Sequence, residues 1–177
     1  SDISRISEPL AGNAAASLWD IGDSVACIEF HSKANALSPA SMEPVREAVG
    51  IATRDYKALL IYNDAPHFSV GFNLDFALDT AKRKAWSELD SALLDFQSAC
   101  MSLKYAPIPV VSAPAGMSLG GGYEVLLHSD ALQVHGNSVM GLVETLVGLV
   151  PSGGGCKELL RRWTEGATTA EEAVLGA

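Results

Sequence analysis

The sequence predicts an α/β fold built from crossover units. Two observations carry this: strand-like and helix-like segments alternate along the chain, and the strands in its middle are short apolar runs of buried type. In chain order, residues 17–21 and 25–30 read as strands joined at Gly22-Asp23, a hairpin signal. Ser38-Pro39 starts a helix, with a capping hydroxyl followed by proline at the first helical position. Met42, Val45, Val49 and Ala52 then recur at helical spacing. Residues 58–62 form an apolar strand closed by Asn63-Asp64 and Pro66. Trp86, Leu89, Leu93, Phe96, Cys100 and Leu103 step by three and four and mark the clearest amphipathic helix. Trp86, Phe96 and Met101 are expected to serve the core. Residues 109–113 read as a buried strand, 120–127 as a helix opened by glycines, and 131–135 as a strand.

Composition limits the function classes. The 177 residues suit one domain or part of a larger protein, and 48% hydrophobic content excludes a disordered chain. Twelve Lys and Arg against 21 Asp and Glu give a net charge of −9. That balance argues against a nucleic-acid binder, whose affinity rests on basic surface. An anionic small ligand, which needs only local donors, remains compatible. Cys27, Cys100 and Cys156 are too far apart for a metal clip and odd in number, so they read as reduced thiols in a cytoplasmic protein. No apolar run is long enough for a membrane span. Residues 1–16 are rich in Ser, Ala, Gly and Pro and read as a linker or cut region ahead of a domain at 17–177. At the far end, Thr169 and Glu172 form a capping-box signature before Ala173, Val174 and Leu175, so the domain is expected to stop with its C-terminal helices incomplete.

The segment 109–124 concentrates the chemistry. A buried strand runs into a loop, and Gly120, Gly121 and Gly122 open a helix carrying Glu124. Glycines there let a ligand approach backbone N–H groups. Phosphate-loop patterns do not fit, because Gly154 stands where the lysine of a Walker sequence belongs. Gly116-Met-Ser118-Leu-Gly120 matches a nucleophile elbow, and Asp130 and His135 follow in hydrolase order. Triad partners come from separate loops, whereas those two lie on or beside one strand, so the elbow reading is weak. A third reading joins Glu124 to Glu144, twenty residues on. A helix, a turn and a strand between them could return Glu144 beside Glu124. Two facing carboxylates beside backbone donors make an acid/base site. His31, His67, His128 and His135 have no ligand spacing and read as structural.

These segments resemble the enoyl-CoA hydratase/isomerase (crotonase) superfamily. The resemblance lies in Gly116-Met-Ser-Leu-Gly-Gly-Gly-Tyr-Glu124 and in Gly141-Leu-Val-Glu144-Thr-Leu-Val-Gly148 with its following Pro151-Ser-Gly-Gly-Gly155. His31-Ser-Lys-Ala-Asn35-Ala-Leu37, His67-Phe-Ser-Val-Gly71-Phe72-Asn-Leu74 and Pro107-Ile-Pro-Val-Val111 agree with it in order. The wording is most similar to the hydratase part of bacterial fused 3-hydroxyacyl-CoA dehydrogenase/enoyl-CoA hydratases. The resemblance implies a crotonase-like (ClpP/crotonase) fold of repeated ββα units with two roughly perpendicular sheets, truncated at the C-terminus. It implies hydration of trans-2-enoyl-CoA to 3-hydroxyacyl-CoA in fatty-acid β-oxidation. The Phe72 and Gly121 N–H groups would hold the thioester oxygen as it becomes an enolate. Glu124 and Glu144 would bind the water, with Glu144 returning the proton. Coenzyme A would lie along Lys33, Ala34, Ala36, Val70, Phe72, Leu74 and Gly120.

The resemblance implies no metal and no redox cofactor, and an acyl-CoA substrate. As partners it implies a homo-oligomer, trimer or dimer of trimers, or a fused dehydrogenase module, with neither nucleic acid nor membrane. Phe72 stands where the family usually has a small residue, and Asp75 replaces a frequent lysine. Lys33 and Lys82-Arg83-Lys84 are substitutes for phosphate contacts, the latter run otherwise reading as a solvated helix end. The alternatives are an isomerase of the same fold, which usually keeps only the second carboxylate, and a non-catalytic fragment that binds acyl-CoA or a partner. Gly121 is expected to act through its N–H, and Gly153 to lie beyond the donors and serve stability.

Overall fold

The computed structural model of the protein describes residues 8–169 and 171–172. The strands are β1 (Ala11–Gly12), β2 (Ala16–Asp20), β3 (Val25–Phe30), β4 (Ala58–Ile61), β5 (Val110–Ser112), β6 (Met117–Leu119), β7 (Ala131–Leu132) and β8 (Val139–Gly141). The helices are α1 (Pro39–Asp55), α2 (Leu74–Lys82), α3 (Trp86–Lys104), α4 (Gly121–Leu127) and α5 (Gly155–Thr164). Six strands form one sheet in the order β1-β2-β3-β4-β5-β7, and β6 pairs with β8 in a second sheet. The β2–β3 hairpin is antiparallel, and the pairings from β3 through β4 and β5 to β7 are parallel.

Side-chain alternation sorts the sheet into two faces. Leu18 lies opposite Ile28, which lies beside Ile61, and all three join the main core. Their neighbours Trp19, Cys27 and Leu60 point to the other face and form a small cluster of their own. Helices α1 and α3 cover the first face with Met42, Val45, Val49, Ala52, Phe96, Cys100 and Leu103. The predicted start of α1 is observed: Ser38 caps it, sharing a reciprocal pair of bonds with Ser41, and Pro39 follows.

Several segments differ from the sequence reading. The sheet begins inside the stretch read as linker, since Ala11 and Gly12 pair with Leu18 and Ser17. The strand expected over 131–135 shortens to Ala131–Leu132. Gln133 and His135 still donate to Ser112 and Pro114, but Pro114 has no N–H to return, which ends the ladder. Trp86 is 60% exposed, not core. Thr169 accepts from the Glu172 N–H, and the Glu172 carboxylate also accepts from the Thr168 N–H and hydroxyl. The apolar run 173–175 lies outside the described residues. Among the described residues no helix is long and apolar enough to cross a membrane.

Candidate active site

Strands β6 and β8 place the site. They run parallel, with Leu119 opposite Gly141, so both chains leave the small sheet at the same end. Two residues beyond Leu119 the chain enters α4; three residues beyond Gly141 it reaches Glu144. This register explains how Glu144 returns to Glu124, with α4, β7 and β8 filling the interval. Gly120 makes the bend at φ +51°, and its N–H donates to Gly141. A Cβ on Gly120 would stand 3.2 Å from Glu144 Oε1, so the glycine leaves room for that carboxylate.

The segment 69–73 supplies the opposite wall. On one side Ser69 pairs with β6, donating to Met117 and accepting from Leu119; on the other, Leu37 donates to Gly71 and accepts from Asn73. Because N–H directions alternate along an extended segment, the Phe72 N–H points away from Leu37. Gly71, at φ +98°, brings the segment close: a Cβ there would be 2.8 Å from the Leu119 carbonyl and 3.4 Å from the Gly121 nitrogen. A Cβ on Gly121 would sit 3.5 Å from the Phe72 nitrogen. The Phe72 and Gly121 N–H groups are therefore neighbours, and neither has a hydrogen-bond partner among the described residues. Asn35 buttresses this wall from behind, donating to His67 and accepting from Ser69.

Glu124, on the first turn of α4, is 1% exposed. Its Oε1 accepts from Gly153 N–H at 2.9 Å and Gly155 N–H at 2.8 Å. Burial pushes its pKa above the ordinary carboxylate value, helped by the charge of Glu144, while the Gly155 and Gly153 bonds pull the other way. Glu144 opens a 3₁₀ turn, Glu144–Val147, and its Oε2 is buried without a partner among the described residues. One carboxylate is thus fixed and the other keeps a free acceptor, both facing one cavity of about 520 Å³. Leu89, Leu93, Val143, Val147, Leu149 and Val150 give that cavity apolar walls. Among the described residues its charged lining is Asp75, Glu124 and Glu144, with no Lys, Arg or His.

Of the residues named for coenzyme A, Ala36, Val70, Phe72, Leu74 and Gly120 line the cavity. Lys33 and Ala34 do not; they sit exposed on the 3₁₀ turn Lys33–Asn35, where Ala34 instead accepts from Val70 N–H. Lys82, Arg83 and Lys84 end α2 in solvent, with Arg83 paired to Asp79 and Glu88. The elbow reading fails on geometry. Ser118 lies buried in β6 with no hydrogen-bond partner at its Oγ among the described residues, Asp130 accepts from Val110, and His135 is exposed against Asn137.

Gly153 corrects a further expectation. It does not lie beyond the site: its N–H holds Glu124, and a Cβ would stand 2.8 Å from Glu124 Oε2 and clash with the Phe96 ring. The signal was present in the Pro-Ser-Gly-Gly-Gly run, which places bare N–H groups at the start of α5. The first half of the α3 stripe also serves the site. Leu89 and Leu93 face the cavity, and Phe96 serves both the cavity and the core. Among the described residues no cluster of His, Cys, Asp and Glu is arranged to hold a metal ion.

Comparison with known proteins follows this geometry. The enoyl-CoA hydratase/isomerase family pattern matches residues 20–177. A Bacillus subtilis protein named probable 3-hydroxyacyl-CoA dehydrogenase is 43% identical over 150 residues, covering 85% of this chain and 19% of that protein. The fatty acid oxidation complex subunit alpha of Idiomarina loihiensis is 30% identical over 142 residues, covering 76% of this chain and 19% of that one. The chain thus spans about a fifth of the length of these relatives. The crystal structure of an enoyl-CoA hydratase from Polaromonas superposes with a TM-score of 0.78 at 25% identity, over 92% of this chain and 63% of that one. The fold is crotonase-like.

Proposed function

The chain belongs to the enoyl-CoA hydratase/isomerase family, and on that premise we propose that it adds water across the double bond of a trans-2-enoyl-CoA. The observation that carries the reading is the pairing of two carboxylates with two adjacent, unbonded N–H groups in one cavity. The thioester oxygen takes the Phe72 and Gly121 N–H groups, whose donors meet it where negative charge develops. Water lies between Glu124 and Glu144. As its oxygen bonds to C3, its proton passes to the free oxygen of Glu144 and the double-bond electrons move toward the thioester oxygen. The enolate then collapses, and Glu144 delivers the proton to C2. Atoms balance with water as the sole co-reactant, and these steps use no metal or redox group.

The largely apolar walls, whose charged members among the described residues are all carboxylates, favour a fatty acyl tail over one ending in a second carboxylate. The names of the relatives support a place beside a 3-hydroxyacyl-CoA dehydrogenase, which would oxidise the hydroxyl formed. A fused module would hand the product over directly. The isomerase alternative needs one carboxylate to shuttle a proton and leaves Glu124 idle. The test offers trans-2-enoyl-CoA and trans-3-enoyl-CoA separately and follows product by chromatography. Formation of 3-hydroxyacyl-CoA from the 2-enoyl substrate is expected. Conversion of the 3-enoyl to the 2-enoyl substrate without hydration would establish the isomerase, and binding without turnover would establish a non-catalytic role.

A further inference from the structure

Behind Glu124, on the side away from the cavity, lies a fully buried histidine that the proposed chemistry does not use. His128 is 2% exposed and follows α4 directly. Its own N–H donates to Val125, which leaves the Glu124 main-chain carbonyl to the side chain: His128 Nδ1 lies 2.7 Å from that oxygen. A carbonyl only accepts, so Nδ1 carries the proton. Nε2 is then a bare acceptor. It has no hydrogen-bond partner among the described residues and stands 3.9 Å from Glu158 Oε1. The polar outer edge of the ring makes no bond, so the ring's contribution there is its bulk.

That bulk rests on Gly154. A Cβ at Gly154 would stand 3.3 Å from both Cε1 and Nε2 of His128. Gly154 adopts φ +106°, a conformation that suits glycine, and lies between the two residues whose N–H groups hold Glu124 Oε1. Its carbonyl accepts from Glu158 N–H, tying the turn to α5. A closed circuit results: Glu124 carboxylate, Gly153–Gly155 turn, His128 ring, Glu124 carbonyl. We propose that His128 is a positioning residue, whose ring props the Gly153–Gly155 turn so that its N–H groups stay on the Glu124 carboxylate.

The inference rests on Glu124 as a reacting group, and its test reads the carboxylate apart from turnover. The ionisable neighbours are Glu144 and Cys100 beside Glu124, and Glu158, Lys104 and Lys157 beside His128. Two substitutions divide the roles of the ring. His128→Asn keeps a donor for the Glu124 carbonyl and removes the prop; His128→Phe keeps the prop and removes the donor. The readouts are amide exchange at Gly153 and Gly155, and titration of Glu124 by carbon-13 NMR, assigned with Glu124→Gln. In His128→Asn, exchange at both glycines should accelerate on the order of tenfold. The Glu124 titration should move to higher pH as its N–H partners loosen. Hydration should slow roughly 10-fold or more with little change in KM. His128→Phe should retain the exchange protection and the titration. A folded His128→Asn with wild-type exchange and titration overturns the proposal. So does loss of both in His128→Phe, which decides the matter alone if the Asn variant does not fold. If the wild type hydrates nothing while the titration shifts as expected, the positioning role stands and the hydratase reading falls.

Discussion

Glu124 and Glu158 are both buried glutamates, on the neighbouring helices α4 and α5, and the protein treats them in opposite ways. Glu124 is held by backbone N–H groups, with a second carboxylate nearby, and burial raises its pKa. Glu158 is equally inaccessible, and burial alone would raise it too. Its ion pairs with Lys104, Lys157 and Arg161 override that and hold it down at about 2. The difference lies in what surrounds each carboxylate. Neutral donors orient a carboxylate without fixing its charge, so its proton affinity stays adjustable. Three cations lock the charge and make the group a structural clamp between α3 and α5.

The strongest test of this contrast is activity. Glu144→Gln and Glu124→Gln should each lower hydration by roughly 10²–10⁴-fold, the usual contribution of a positioned acid or base. Glu158→Gln, measured at matched folded fraction, should stay within a few-fold of the wild type. Near-normal turnover in either of the first two would remove the two-carboxylate mechanism. A comparable loss in Glu158→Gln would erase the distinction between the two sites.

Stability should show the reverse order. Glu158→Gln leaves Lys104, whose side chain is 20% exposed, facing a neutral amide, and the expected cost is on the order of 3 kcal/mol. The sign with pH follows from the lowered pKa. The native contribution is complete above the ordinary carboxylate value of 4.5 and disappears as pH falls toward about 2. Urea unfolding across that range should give a wild-type stability that drops on acidification and a variant whose drop is shallower. Parallel curves would mean that the three cations are solvated in practice and clamp nothing.

The same contrast explains what the sequence could reveal. Glu124 and Glu144 stood out because each sits in a glycine-rich motif with a family likeness, and because their spacing allowed a return. The hairpin, α1 and most of α3 were legible from turn residues, capping and periodicity. Strands β6 and β8 were not: each has three residues, too few for alternation to register, and both are defined by their pairing with each other and, for β6, with Ser69. Helix α2 carries little periodicity, and its start rests on Asn73, whose side chain accepts from the Asp75 and Phe76 N–H groups. The burial of Glu158 was not legible in sequence. Beside the adjacent Lys157, its cations come from α3 and from the next turn of α5, and the packing brings Lys104 to it. Lys33 is the opposite case: a family-like position legible in sequence, whose side chain lies in solvent outside the cavity lining.

The smallest expected effect has the most diagnostic sign. Because the folded-state pKa of Glu124 is raised, the native protein binds its proton more tightly than the unfolded chain does. Stability associated with this group is therefore full below the unfolded value and is lost as pH rises through the folded value. At neutral pH the ionised, buried Glu124 burdens the fold. Glutamine keeps an acceptor for Gly153 and Gly155 and has no charge to bury. Glu124→Gln should thus raise Tm at neutral pH, with about 2–4 °C for each kcal/mol recovered, and should lose that advantage in acid. The variant that loses the most activity would then be the more stable protein, as expected where a reacting group is held against its own solvation. Thermal unfolding of both proteins between acid and neutral pH measures it. A Tm that falls at neutral pH would mean that the carboxylate's bonds to the two glycines outweigh its desolvation. Glu124 would then belong with Glu158 as a clamp.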